Sequence, residues 1–187
     1  MRSGDEVVDS YIEDLELMKE KNIDMVVMHL TTHQDAPTFN ELGLERIKKI
    51  IAKARALKIK IAFENTRKKG FLEYVLGEIK DEYAGVCFDA GHNHVYFDDT
   101  FDFELFKDRI MAVHLHDNDK SGDLHLLPFD ATIDWDYVIE NLKKANYTGP
   151  ITLELCNRNK YFDWPIDEFY KEGAIRGKKI EEKWNKK

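Results

Sequence analysis

Five short apolar runs in this chain of 187 residues each end in a side chain that can bind a metal ion. They are MVVMH ending at His29, IKIAFE at Glu64, GVCFD at Asp89, IMAVH at His114 and ITLE at Glu154. Each of the four intervals between them holds a stretch with helical spacing. Strands buried on both faces are written as continuous apolar runs, so the pattern favours a parallel sheet covered by helices. Helix-separated parallel strands place their C-terminal ends on one side, where α/β proteins assemble their sites. No GxGxxG or Walker motif follows any of the runs. Carboxylates and imidazoles stand at several strand ends rather than at one switch point, which favours a barrel over an open doubly wound sheet.

The elements between the runs follow from spacing and capping. Val8, Ile12, Leu15 and Met18 predict a helix over about residues 6–21, with Asn22 as its stop. Residues 31–39 read as a polar loop. Asn40 is placed to cap a helix whose stripe is Leu44, Ile47, Ile51 and Ala54. FLEYVLGEIK reads as a short helix, AGHNHVYFDD as a loop and FDFELFKDR as a second short helix. A long loop from Asp117 to Ile133 precedes the N-cap Asp134, and a final helix runs from near Pro165 to Trp184. ITLEL is expected as the fifth strand.

Composition limits the function classes. Hydrophobic residues make up 43% and charged residues 34%, which suits one globular domain over residues 1–187. The formal net charge is −8 and no Lys/Arg cluster sits near the strand ends, so a nucleic-acid partner is not favoured. Cys87 and Cys156 read as small apolar side chains in or after strands, in keeping with a reducing compartment. No run reaches the roughly 18 apolar residues of a membrane span, and the expected location is cytoplasmic.

The chemistry concentrates in two segments. One is His114-Leu115-His116-Asp117-Asn118-Asp119, followed by Asp123-Leu124-His125; alternate strand residues share a face, so His114 and His116 are expected to point the same way. The other is Asp89-Ala90-Gly91-His92, where Gly91 is expected to let the backbone turn sharply. Buried carboxylates and imidazoles need compensation by one another or by a metal. Mixed imidazole and carboxylate donors suit Mn2+, Zn2+, Co2+ or Fe2+ better than Ca2+ or Mg2+. His33 and His94 read as loop residues, Trp135 and Phe129 as packing, and Asp98 and Asp99 as a helix cap and a solvated charge.

From about Asp24 to Asn157 the ordered pieces FENT, CFDAGH, VHLHDN, DLHLLPFDATIDW and GPITLEL resemble the xylose isomerase-like TIM barrels, the superfamily of sugar (phosphate) isomerases and epimerases and of endonuclease IV. The resemblance implies an α/β fold: a (β/α) TIM barrel lacking about its first three strands, with five parallel strands and helices outside. It implies that Glu64, Asp89, His114 and Glu154 bind one divalent ion, Mn2+ or Zn2+ with Co2+ as an alternative, and that His92 lies in the substrate pocket. Asp123 and His125 match the D-x-H pair that holds further zinc ions in endonuclease IV, and His29 matches another of its ligands; His92 is counted with them as an additional candidate ligand. The family often has Gly where Ala131 stands. The expected activity is isomerisation or epimerisation of a small sugar or polyol. Glu64 and Glu154 would transfer a proton at the carbon next to a carbonyl, through a metal-bound enediolate, with His92 hydrogen-bonding a substrate oxygen. The alternatives are a zinc phosphodiesterase like endonuclease IV and a truncated barrel without catalysis. Strands left without neighbours imply a homo-oligomer that covers the open edges.

Overall fold

The computed structural model describes residues 3–31 and 36–186. Its contacts divide the chain into two compact units, Met1–Val86 and Cys87–Lys187. The reading of His33 as a loop residue lies outside the described residues.

In the first unit, α1 (Gly4–Glu20) opens on a capping box. Ser3 Oγ accepts from the Glu6 amide and Glu6 accepts from the Ser3 amide, which satisfies two donors that the helix itself cannot. Asn22 follows with φ 57°, a left-handed residue that ends the element as its position predicted. β1 (Met25–His29) pairs in parallel with β2 (Lys60–Glu64), His29 opposite Glu64. Between them α2 (Glu41–Leu57) starts on Asn40, whose side chain accepts from the Gly43 amide at 2.9 Å, and packs on α1. α3 (Phe71–Glu78) follows β2. β2 lies between β1 and the start of β3 (Ala84–Asp89).

Burial corrects one expectation. MVVMH was expected to be buried, but only Met28 of β1 is. β1 ends the strand order and has one strand neighbour, whereas β2 is buried from Ile61 to Glu64 and β3 throughout.

The second unit carries the last half of β3, then α4 (Ala90–Tyr96), β4 (Ile110–His114), α5 (Trp135–Lys144), a 3-10 turn (Asn159–Tyr161) and α6 (Ile166–Asn185). β4 lies beside β3. All four strands run parallel. Asp134 caps α5 through the amides of Asp136 and Tyr137, and α5 packs against α6.

Three expectations are overturned in this unit. AGHNHVYFDD is not a loop: Asp89 caps it, accepting from the His92 amide at 2.6 Å, and seven residues coil as α4. FDFELFKDR is not a helix but a run of turns with Asp108 at φ 61°. Phe101, Phe103 and Phe106 are all buried in one aromatic cluster, with Phe101 rings 4.9 Å from Phe103 and 5.3 Å from Phe106. A helix would put residues two apart about 200° apart on its surface, and Phe101 and Phe103 could not share one cluster. The fifth strand shrinks to one parallel bridge, Leu115 with Leu153, held by Leu115 N to Thr152 O at 2.9 Å and Glu154 N to Leu115 O at 3.2 Å.

α6 is tied to the long loop by a half-buried ion cluster. Asp130 accepts from Tyr161 Oη at 2.7 Å and pairs with Arg176 Nη1 at 2.9 Å and Lys160 Nζ at 3.1 Å. Burial pushes the Asp130 carboxyl up, but the Tyr161 hydroxyl and the Lys160 and Arg176 charges more than offset this and hold it below the ordinary 3.8. A depressed native value means that the stabilisation is present above the unfolded value and is lost as pH falls through the native one. Asp130→Asn is therefore expected to lower the urea midpoint at pH 6, with the gap to the unaltered chain closing as pH falls below 3.8.

Candidate metal centre

In the second unit the strand ends and the long loop bring seven polar side chains together. Asp89, at the end of β3, is wholly buried and caps α4. Its Oδ1 lies 3.2 Å from His116 Nε2. His92, one turn into α4, reaches Asp123 Oδ2 through Nε2 at 3.1 Å. His114, at the end of β4, holds Nδ1 3.1 Å from Glu154 Oε2. His116 stacks on His125 with ring centroids 4.1 Å apart. His125 Nε2 stands 3.3 Å from Asp123 Oδ1, and its Nδ1 stands 3.2 Å from the Glu154 carbonyl oxygen.

The donors fit a divalent cation. His116 Nδ1 is enclosed and makes no hydrogen bond among the described residues, while the enclosed His116 Nε2, Asp123 Oδ1 and Glu154 Oε2 meet the charged contacts just given. An enclosed polar atom without a partner is costly unless something else coordinates it. One donor atom from each of His116, His125 and Glu154 lies within 4.8 Å of the other two. Ligands about 2.0–2.2 Å from a common ion span such separations.

The field of the cluster is set by the pairing. Burial raises the Asp123 carboxyl, but the His125 and His92 imidazoles overcome this and hold it far below the usual carboxylate range. The same Asp123 carboxylate pushes the His125 imidazole up, against its burial, with Glu154 adding in the same direction.

Several residues take roles other than those expected. His116 lay outside the expected ligand set, yet it is wholly buried at the centre of the cluster; its spacing of two from His114 was the available signal. Gly91 sits inside α4 with no positive φ, so a sharp turn is not its role. A Cβ there would fall within the His116 ring. Asp117, counted among the candidate donors, is a structural acceptor. It takes the amides of Asn118 at 2.9 Å, Ala131 at 3.2 Å and Ile133 at 3.1 Å, and Trp135 Nε1 at 3.2 Å. Asn118 donates to the Gly91 carbonyl at 2.9 Å. His94 is no loop residue: it is buried in α4, with Nδ1 2.8 Å from Asp99 Oδ2 and Nε2 2.8 Å from Thr132 Oγ1. Asp98 is a solvated charge paired with Lys120. Trp135 packs as expected, 5.7 Å from Phe129.

In the first unit, Glu64 ends β2 at 3% exposure, and His29 Nε2 lies 3.2 Å from Glu64 Oε2. The His29 side chain is 43% exposed.

The model of the xylose isomerase-like TIM barrel family matches residues 2–179. The chain belongs to that family. The uncharacterized protein y4fM of Sinorhizobium fredii is 38% identical over 74 residues, which span 39% of this chain and 24% of that relative. Two solved structures share the fold. A D-tagatose 3-epimerase-like protein superposes with a TM-score of 0.66 at 21% identity, covering 92% of this chain and 70% of the other. The D-psicose 3-epimerase of Clostridium cellulolyticum H10 does so with a TM-score of 0.71 at 12% identity, covering 96% and 70%. This family membership accounts for parallel strands alternating with helices. No described helix is long and apolar enough to cross a membrane.

Two substitutions test the packing of the centre. Gly91→Ala is expected to displace the His116 ring and cost at least about 1 kcal/mol by overpacking, read as a lowered midpoint in thermal melts. Asp117→Ala leaves four donors without their acceptor and is expected to cost at least about 3 kcal/mol in urea unfolding, since each buried unmet donor costs about 1–3 kcal/mol.

Proposed function

We propose that the chain is a metal-dependent isomerase or epimerase of a small sugar or polyol, moving a proton at the carbon next to a carbonyl. The observation that carries this reading is the convergence of Asp89, His92, His114, His116, Asp123, His125 and Glu154, with one donor atom from each of His116, His125 and Glu154 within 4.8 Å of the other two. Asp89, His114 and Glu154 would hold a divalent cation, Mn2+ or Zn2+ with Co2+ as an alternative, with His92, Asp123 and His125 as additional ligands. Glu64 is assigned to the same set from its place at the end of β2, matching the strand-end positions of Asp89 and His114. When bound, the cation polarises a substrate carbonyl and so acidifies the neighbouring C–H.

The chain's own residues do the rest. A carboxylate, Glu154 or Glu64, takes the proton, and the other returns one. His92, oriented through Nε2 by Asp123 Oδ2, would hydrogen-bond a substrate oxygen. The fold likeness to a D-psicose 3-epimerase supports the substrate class. A reducing cytoplasmic setting fits Cys87 and Cys156, which form no disulfide.

The test is exchange of substrate C–H hydrogen with solvent deuterium, followed by NMR across a panel of ketoses with Mn2+ present. Exchange is expected with at least one ketose, and Glu154→Gln is expected to slow it by at least about 100-fold. No exchange across the panel with metal bound would reject the mechanism.

One observation favours a second reading, a zinc phosphodiesterase like endonuclease IV. His92, Asp123 and His125 are linked at 3.1 Å and 3.3 Å, as a further cation site would need. The net charge of −8 opposes it. More than one zinc per chain, together with cleavage of abasic DNA, would establish it over the first.

A further inference from the structure

We propose that Asp130, Tyr161 and Arg176 form a positioning clamp that fixes His125 and Asp123 from outside the centre and so sets its affinity for a divalent cation. The affinity claim rests on the metal reading above.

The clamp grips a short piece of the long loop. Tyr161 Oη accepts from the Leu127 amide at 3.0 Å and donates to Asp130 Oδ2 at 2.7 Å. Arg176 Nη1 donates to the Pro128 carbonyl at 2.9 Å and pairs with Asp130 Oδ1 at 2.9 Å. Glu172, one turn earlier on α6, accepts from Arg176 Nε at 2.6 Å and aims the guanidinium. Tyr161 is 1% exposed and packs with Leu126, Leu127 and Phe169, so its own two bonds are shielded from water. Residues 127, 128 and 130 are thereby fastened to a 3-10 turn and to α6.

The fastened piece begins two residues after His125. Upstream, Leu126 pairs with Asp117 in an antiparallel bridge, with bonds of 2.8 Å and 3.0 Å. The His125 carbonyl accepts from the Cys156 amide at 3.1 Å. His125 has φ 49° and Phe129 φ 72°. Non-glycine residues hold such angles only where their surroundings over-determine them. With the clamp released, this backbone relaxes toward ordinary φ. His125 then leaves its stack on His116, and Asp123 leaves His92. Among the described residues the bonds given for Asp130, Tyr161 and Arg176 go to one another, to Lys160 and Glu172 and to the loop backbone, so their effect passes through the loop.

A purely structural role predicts lost stability with unchanged affinity in the folded protein; a positioning role predicts changed affinity. The experiment compares the full chain with Tyr161→Phe, Arg176→Gln and Arg176→Lys, at a temperature where circular dichroism shows all four folded. Mn2+ affinity is measured by calorimetry, and amide exchange over residues 123–131 by mass spectrometry. Tyr161→Phe and Arg176→Gln are expected to weaken Mn2+ binding roughly 10-fold, as loss of partners behind metal ligands does. They are also expected to speed exchange in that segment, with Arg176→Lys restoring part of both. Unchanged exchange overturns the clamp. Faster exchange with unaltered Mn2+ affinity overturns its link to the centre. If the unaltered chain binds neither Mn2+ nor Zn2+, the metal reading falls and the affinity claim with it, whereas binding that is equal in all four chains removes the clamp alone.

Discussion

The Asp117 carboxylate is wholly buried and is met by three backbone amides and one indole N–H. A buried carboxylate is tolerable only when its oxygens are satisfied, and the donors that satisfy this one come from residues 118, 131, 133 and 135. The loop between β4 and α5 is therefore closed around a single side chain. Asp123 and His125 lie inside that closure, and His116 stands directly before it. The loop has almost no regular structure, and these four bonds fix its ends to one another.

Around the closure the fold sets opposite charges close together with little water. Asp123 stands between His92 and His125, and Asp89 beside His116. The His92 and His125 imidazoles favour the ionised Asp123 carboxylate, and that carboxylate favours the protonated His125 imidazole. A cation would exploit the same preorganised negative oxygens, which explains how one set of residues serves both packing and the proposed chemistry. Gly91 shows how tight this packing is: α4 can pass His116 only because residue 91 lacks a side chain.

The strand ends were legible because burial on both faces leaves a continuous apolar run, and the first polar residue after it marks the rim. His29, Glu64, Asp89 and His114 do end β1 to β4. The caps Asn40, Asp89 and Asp134 obey local hydrogen-bonding rules, although Asp89 was read as a ligand and not as a cap. α4 was missed because seven residues rich in His, Asn and Gly carry no apolar stripe; its stability comes from the cap and from contact with β4. The turns over residues 103–109 were missed for the converse reason. Their apolar spacing imitates a helix, while the aromatic cluster demands a different path.

The amino-acid order alone determined the β/α alternation, the identity of the strand-end residues and the family, because hydrophobic periodicity and capping act over a few residues. Only the tertiary structure decided that His116 is central, that Asp117 is an acceptor, that His94 bridges Asp99 and Thr132, and that α6 reaches the loop through Arg176. Those roles depend on which distant groups share a buried space, and a side chain's type does not say whether it will meet a donor, an acid or another imidazole there.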